Sequence, residues 1–172
     1  LRQSREECRE ALGIAADRKL ILITTGGIKG EFPFLGDLKQ YDRITFLVPG
    51  AAEEFTRQDN LILCPVNSEL YHPDIVNAAD AAVCKAGYST IAEAYQAGIP
   101  VAYIMRETFP EAPVFADFVP QRMKGIQVTC EEWESGAWIP RIPALLDLPR
   151  INRDEANGAD QVVDFLARKF HL

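Results

Sequence analysis

The 172-residue chain lacks the features that mark several common classes of protein. No apolar run approaches the roughly 20 residues that a membrane-spanning helix needs. Only two histidines are present, and no C-x-x-C pair or other zinc-ligand spacing occurs. Basic residues are outnumbered, 18 Lys and Arg against 25 Asp and Glu, so the formal net charge is −7. The sequence therefore predicts a soluble domain without a metal site and without the basic surface of a general nucleic-acid binder.

The cysteines are also few. Cys8, Cys64, Cys84 and Cys130 lie far apart in a chain that is 48% hydrophobic. A chain with this much apolar material for a core needs no disulfide framework, so we expect buried, reduced thiols in a cytoplasmic protein. The chain begins with Leu1, and no signal-peptide pattern follows, which we interpret as a piece of a longer protein.

Short apolar runs recur along the chain, and each is followed by turn residues and then a helical pattern. The runs are continuous rather than alternating, which is typical of strands buried on both faces. They predict the α/β class: a single Rossmann-like, doubly wound parallel β-sheet of about six strands with helices on both faces. The predicted strands are Leu20–Thr24, Ile44–Val48, Leu61–Cys64, Ala81–Cys84, Val101–Ile104 and Gly125–Val128.

Helical patterns flank these runs. Residues 1–18 indicate a leading helix or linker whose helix ends near Gly13, and the clearest internal helix is Ser89–Ala97. Within 150–172, Asn157–Phe170 carries its apolar residues on one broad face and predicts a C-terminal helix. The proline-rich stretch from Pro140 to Pro149 is interpreted as a surface connection to that helix.

A glycine-rich turn follows the first predicted strand. Gly26 and Gly27, with Lys29 close behind, could bring backbone N–H groups and a positive charge to an anionic ligand. The turn matches neither the dinucleotide fingerprint G-x-G-x-x-G nor the P-loop. A plain strand-to-helix turn is the alternative interpretation.

A second turn follows the fourth predicted strand. After Gly87 and Tyr88, either Ser89 or Thr90 is expected to cap the next helix, whose free N–H groups form a ready phosphate site. Glu93, about one turn into the helix, could accept hydrogen bonds from a ribose diol. It could equally be the partner of Thr90 in a capping box.

The remaining candidates follow the fifth predicted strand or precede a helix. Arg106 could pair with a phosphate or a sugar acid, and Glu111 could bind sugar hydroxyls, although isolated loop charges are often merely solvated. His72 is expected to be a cap or packing residue rather than a base. No G-x-S-x-G elbow and no Ser–His–Asp set occurs, so hydrolase chemistry has no support. No Asp-x-Asp motif of the kind that binds a metal occurs either.

The segment Asn77–Ala94, with Gly98–Val101 after it, resembles the nucleotide-sugar motif of GT-B glycosyltransferases. It is most similar to the C-terminal domain of the lineage that contains the lipid-linked peptidoglycan N-acetylglucosaminyltransferase. The Gly26–Gly30 loop is similar to that lineage's second glycine loop, and the resemblance extends from about Lys19 to Val128.

The resemblance implies roles for particular positions. Gly26 and Gly27 would contact the donor diphosphate, and Glu93 would hold the ribose hydroxyls. The loop Val66–Tyr71 would lie against the base. Gly87, Tyr88 and Ser89 would bind a phosphate. The family's sugar-reading position falls near Glu111, but the Gln pair of the peptidoglycan enzyme is missing, which leaves the sugar open.

The resemblance also implies that residues 1–172 form the C-terminal donor-binding domain of a larger two-domain protein. The full enzyme would transfer a sugar from a nucleotide donor, expected to be a UDP-sugar, to an acceptor hydroxyl, with inversion and without a metal or cofactor. The acceptor, sugar or lipid-linked, and the catalytic residues would belong to the absent N-terminal domain. Peripheral membrane association would come only from missing parts, and this fragment alone would be inactive. The alternatives are one half of a nucleotide-sugar 2-epimerase and a non-catalytic nucleotide-sugar-binding module.

Overall fold

Seven strands form a single sheet in the computed structural model, which describes residues 1–27, 30–105, 109–153 and 158–171. The sheet order is β3-β4-β2-β1-β5-β6-β7. The strands are β1 (Lys19–Thr24), β2 (Ile44–Pro49), β3 (Thr56–Gln58), β4 (Leu61–Cys64), β5 (Ala81–Lys85), β6 (Val101–Ile104) and β7 (Gly125–Val128). All neighbouring pairs are parallel except β3 with β4 at one edge.

The six predicted strands are confirmed, each to within one residue at an end. β3 was not predicted. Its residues Thr56, Arg57 and Gln58 are polar and largely exposed, because the strand lies at the edge and pairs only with β4. A three-residue polar edge strand has no apolar run from which it could be predicted.

Helices cover both faces of the sheet. They are α1 (Arg5–Ala11), α2 (His72–Ala78), α3 (Tyr88–Ala97), α4 (Ala112–Arg122), α5 (Cys130–Ser135), α6 (Ile142–Leu146) and α7 (Gly158–Phe170), with 3-10 helices at Leu35–Gln40 and Ile139–Arg141. Leu20 and Leu22 of β1 pack into the core with α1 to α4. Ile21 and Ile23 point to the other face and pack with α5, α6 and the 3-10 helices. The doubly wound arrangement predicted from the sequence is confirmed.

The leading helix α1 is packed into the domain. Ser4 caps it in a capping box with Glu7, and the helix ends ahead of Gly13 (φ +61°), as predicted. Arg5 and Arg9 reach Asp80, which follows α2, at 2.8 and 3.3 Å. The same carboxylate also accepts the N–H of Leu20 at 2.7 Å. These contacts join α1, α2 and β1 at the amino end of the sheet.

The proline-rich stretch is not the surface connection that the sequence suggested. It forms the second 3-10 helix and α6, and Ile139, Ile142 and Leu145 are all buried. Pro140 and Pro143 lie in the first turn of these helices, where a backbone N–H has no intrahelical partner to lose. The prolines therefore start two short core helices.

The chain after α6 is fastened to the end of α3. Gly98 ends α3 in the left-handed conformation (φ +71°), and a Cβ there would stand 1.9 Å from the carbonyl oxygen of Ile151. Ile151 donates its N–H to Gly98 at 2.8 Å. Arg153 stacks on the ring of Tyr95 at 3.4 Å and donates to the Tyr95 carbonyl. This segment leads to α7, which has no buried residue. Over the described ranges, every helix is too short or too polar to cross a membrane.

Candidate functional site

The site lies where the winding of the sheet changes direction. From β1 the chain proceeds through β2 to β4 on one side, whereas β5 begins the run through β6 to β7 on the other. Loops leaving the carboxyl ends of β1 and β5 therefore diverge, and such a switch point is where open α/β sheets bind ligands. A cleft of about 250 Å³ opens there. Its lining residues are Gly26, Gly27, Pro49, Val66, Ser68, Leu70, His72, Ile75, Ser89, Thr90 and Glu93.

The glycine turn after β1 forms one wall of the cleft. Gly26 and Gly27 have φ of +77° and +81°, which only glycine adopts readily, so the predicted need for glycine is confirmed. The N–H of Gly26 donates to Oγ1 of Thr24 at 3.1 Å. A Cβ added to Gly26 would lie 3.7 Å from Oγ1 of Thr90, so the turn approaches α3 closely.

The amino end of α3 forms the facing wall. The predicted cap was wrong: Gly87 is the N-cap residue, and no side chain caps the helix. Because α3 begins at Tyr88, Ser89 and Thr90 lie inside the first turn, where their N–H groups have no intrahelical acceptor. No acidic residue lies in that turn, and the space beside the Gly87 Cα is open. The first turn of α3 therefore offers free N–H groups to an anion and places no negative side chain of its own beside them.

A carboxylate and an imidazole meet at the floor of the cleft. Oε2 of Glu93 on α3 is hydrogen-bonded to Nδ1 of His72 on α2. The other ring nitrogen of His72, Nε2, lies 3.4 Å from Oγ1 of Thr24 at the end of β1. The Glu93 carboxylate thus contacts His72, whereas a capping box would have required Thr90 to be the cap.

For a neutral His72 ring, the hydrogen bonds of this network have one consistent direction. An ionised carboxylate only accepts, so the proton of a neutral His72 ring belongs on Nδ1. Nε2 then accepts the hydroxyl hydrogen of Thr24, whose oxygen accepts from the N–H of Gly26. This hydrogen-bond network links the glycine turn, α2 and α3 through the side chains of Thr24, His72 and Glu93. Neither partner of His72 is predictable from a local pattern, because Glu93 is 21 residues and Thr24 is 48 residues away along the sequence.

The other predicted site residues are dispersed. The ring of Tyr88 lies outside the cleft and packs edge-on against Phe115 of α4, with 5.0 Å between centroids. Glu111 is the N-cap residue of α4 and does not line the cleft. Lys29 and Arg106 lie outside the described residues. The cleft therefore unites Gly26, Gly27, Ser89, Thr90 and Glu93, beside Gly87, and the loop before α2 joins it through Val66, Ser68 and Leu70.

The thiols lie apart from this chemistry. Cys8, Cys64 and Cys84 are buried, as predicted, but the prediction was wrong for Cys130, which is exposed at the start of α5. Burial raises the pKa of the Cys84 thiol to about 12, and it also raises the pKa of Cys8 and of Cys64. In the described parts of the chain, no three His, Cys, Asp or Glu side chains come together in a way that could hold a metal ion.

Comparison with known proteins places this fold. The chain matches no protein-family model. A protein of Arabidopsis thaliana named L-arabinokinase is 29% identical over 163 residues, which cover 93% of this chain and 15% of that protein. This chain thus corresponds to a small part of a much longer relative.

Solved structures resemble it over most of its length. The calicheamicin glycosyltransferase CalG4 matches 90% of this chain with a TM-score of 0.62 and 17% identity, over 43% of its own length. MurG of Acinetobacter baumannii matches 84% with a TM-score of 0.60 and 16% identity, over 45% of its length. The chain has the fold of one half of a GT-B glycosyltransferase and spans less than half of these enzymes.

Proposed function

We propose that this chain is the donor-binding half of a glycosyltransferase that uses a nucleotide sugar, with uridine diphosphate as the nucleotide. The observation that carries the proposal is the meeting of three parts in one cleft. The Gly26–Gly27 turn, the open first turn of α3 and the Glu93 carboxylate all line the switch point of the sheet. The shared fold of the glycosyltransferases CalG4 and MurG supports it.

Each part has a chemical task in this proposal. The N–H groups of Ser89 and Thr90 and those of the glycine turn would face the diphosphate, where the helix dipole favours negative charge. Glu93 would accept hydrogen bonds from the ribose hydroxyls, since an ionised carboxylate only accepts. The loop with Val66 and Ser68 would lie along the base.

The transfer step follows from this placement. An acceptor hydroxyl would attack the anomeric carbon from the face opposite the diphosphate, and the bond from that carbon to the diphosphate oxygen would break. The leaving diphosphate would take the electron pair, and the amides around it would stabilise the charge without a divalent cation. The acceptor and the base that removes its proton would come from the other half of the enzyme, because this chain covers under half of the matched glycosyltransferases. This chain alone would bind the donor without turning it over.

A second candidate is a nucleotide- or sugar-binding module attached to a different catalytic unit. The relative named as an L-arabinokinase favours it, since the match covers 93% of this chain but 15% of that protein. Such a module would bind a nucleotide or sugar in the same cleft. It would show no glycosyl transfer even in the full-length protein, which separates the two candidates.

Calorimetric titration with UDP, GDP and NAD tests the proposed site. We expect saturable UDP binding that weakens roughly 10- to 100-fold in Glu93→Ala, the range for losing a hydrogen bond to a charged group. Gln96→Ala is the matched control, because Gln96 lies one turn further along α3 and outside the cleft. NAD binding as tight as UDP binding, or a Glu93→Ala variant with unchanged affinity, contradicts the proposal.

A further inference from the structure

His72 is held on both ring nitrogens by groups from different elements. Nδ1 is bonded to Oε2 of Glu93 on α3, and Nε2 faces the hydroxyl of Thr24 at the end of β1. The two side chains are only partly exposed, 30% for His72 and 23% for Glu93. A ring fixed at both nitrogens and partly shielded from water has little freedom to turn.

The backbone that carries His72 is also fixed. His72 is the first residue of α2, and Tyr71 before it is the N-cap residue. Pro73 follows in the first turn, where its fixed φ suits a helix start. Asp74 is buried, and its carboxylate accepts the N–H of Arg2 at 2.9 Å. The start of α2 is thereby fastened to the segment before α1, and His72 is presented to α3 from a stable support.

The Glu93 carboxylate is satisfied on one oxygen only. His72 occupies Oε2, whereas Oε1 has no hydrogen-bond partner among the residues that the structure describes. The side chain lines the cleft beside Ser89 and Thr90. A carboxylate pinned through one oxygen has its other oxygen available for a ligand hydroxyl, and it retains few rotamers to lose on binding.

We propose that His72 is the positioning residue for Glu93 and makes the cleft selective for a ribose over a 2′-deoxyribose nucleotide. The inference rests on the proposed nucleotide-binding function of the cleft. The N–H at Nδ1 fixes the plane of the carboxylate, so that Oε1 meets the ribose hydroxyls at one place. Without that donor the Glu93 carboxylate can rotate freely, and its hydrogen bond to the 2′-hydroxyl contributes less to binding.

The experiment compares the affinities for UDP and 2′-deoxy-UDP in three variants of His72. Asn places its amide donor where Nδ1 stands, Gln places its donor nearer to Nε2, and Leu removes both the Nδ1 donor and the Nε2 acceptor. The ratio of the two affinities is expected to fall roughly tenfold in His72→Leu and His72→Gln, the loss of about one charge-assisted hydrogen bond. In His72→Asn the ratio is expected to remain close to that of the unaltered chain.

A merely structural role gives a different result. If His72 only held α2 against α3, thermal unfolding would shift in the variants, but the affinities for both nucleotides would fall together and their ratio would stay constant. A constant ratio in His72→Leu, or a His72→Asn variant no better than His72→Leu, overturns the inference while the proposed function stands.

The position of the ring proton supplies a readout that needs no ligand. Nitrogen NMR of the imidazole is expected to show the neutral ring protonated on Nδ1, and to lose that preference in Glu93→Gln. If the unaltered chain does not bind UDP, the proposed function fails and the selectivity with it. A ring protonated on Nε2 overturns the positioning role whether or not UDP binds.

Discussion

The two sides of helix α3 form two hollows of opposite character. One side, with Ser89, Thr90 and Glu93, faces the cleft of about 250 Å³ at the switch point of the sheet. The other, with Ile91 and Tyr95, faces a groove of about 400 Å³ shared with α4 and the start of α7. The groove is larger and lined mainly by apolar side chains.

The two hollows show that the site is marked by converging polar groups and not by volume. In the cleft, a carboxylate, an imidazole and the open end of a helix meet around one space. In the groove, Arg153 is already engaged by the ring and carbonyl of Tyr95. The cleft has polar groups still available to a ligand, whereas the groove contributes packing between elements.

A substitution in the groove is expected to change stability the most. Phe115 of α4 is buried and packs edge-on against Tyr88, so Phe115→Ala is expected to lower the free energy of unfolding by about 3–5 kcal/mol. UDP affinity should be unchanged below the unfolding transition, because Phe115 does not line the cleft. Denaturant unfolding and calorimetry check the two parts. If UDP affinity falls while the variant is still folded, the groove takes part in nucleotide binding.

A substitution in the glycine turn of the cleft is expected to change stability less but to weaken UDP binding. Gly26→Ala places a Cβ at φ +77° and is expected to lower the free energy of unfolding by about 1–2 kcal/mol. It should also weaken UDP binding, since the backbone of the turn no longer approaches the ligand closely. Gly36→Ala is the control, because Gly36 lies in a 3-10 helix with open space around it. Equal UDP affinities in the two variants would remove the glycine turn from the site.

The contact between Arg153 and Tyr95 in the groove is expected to contribute less to stability than Phe115 does. Removing the guanidinium in Arg153→Ala should lower the free energy of unfolding by about 1 kcal/mol, through the lost stacking on Tyr95 and the hydrogen bond to its carbonyl. Arg168→Ala, on the exposed face of α7, should have little effect. UDP titration of Arg153→Ala should match that of the unaltered chain, and a lost affinity would show that Arg153 serves the ligand.

The reactivity of the thiols measures how well the core excludes solvent. Exposed Cys130 should react quickly with a thiol reagent at pH 8, whereas Cys84 should react only after unfolding, because it is buried with a pKa of about 12. The raised pKa also means that stability conferred by the neutral thiol is complete below pH 9 and declines above it, as the unfolded thiol ionises first. Mass spectrometry of labelled peptides checks the rates. Rapid labelling of Cys84 in the folded chain would show that the core opens.

The sequence allowed the sheet to be predicted closely, because strands buried on both faces appear as unbroken apolar runs such as Leu61–Cys64. The glycine turn and the α3 motif were also predicted, since each is local in the chain. The polar edge strand β3 and the buried helix at Ile142–Leu146 were missed because exposure at an edge and burial behind prolines depend on tertiary contacts. The His72–Glu93 pair was missed for the same reason: α2 and α3 bring together residues that no local pattern relates.

The polar cleft, and not the larger apolar groove, is the proposed binding site for the nucleotide. Amide NMR spectra recorded during a UDP titration test it most directly. We expect the largest shift changes at Gly26, Gly27, Ser89 and Thr90, with the groove residues Tyr95 and Phe118 nearly unaffected. Changes concentrated at Tyr95 and Phe118, with the glycine turn unmoved, would contradict the account.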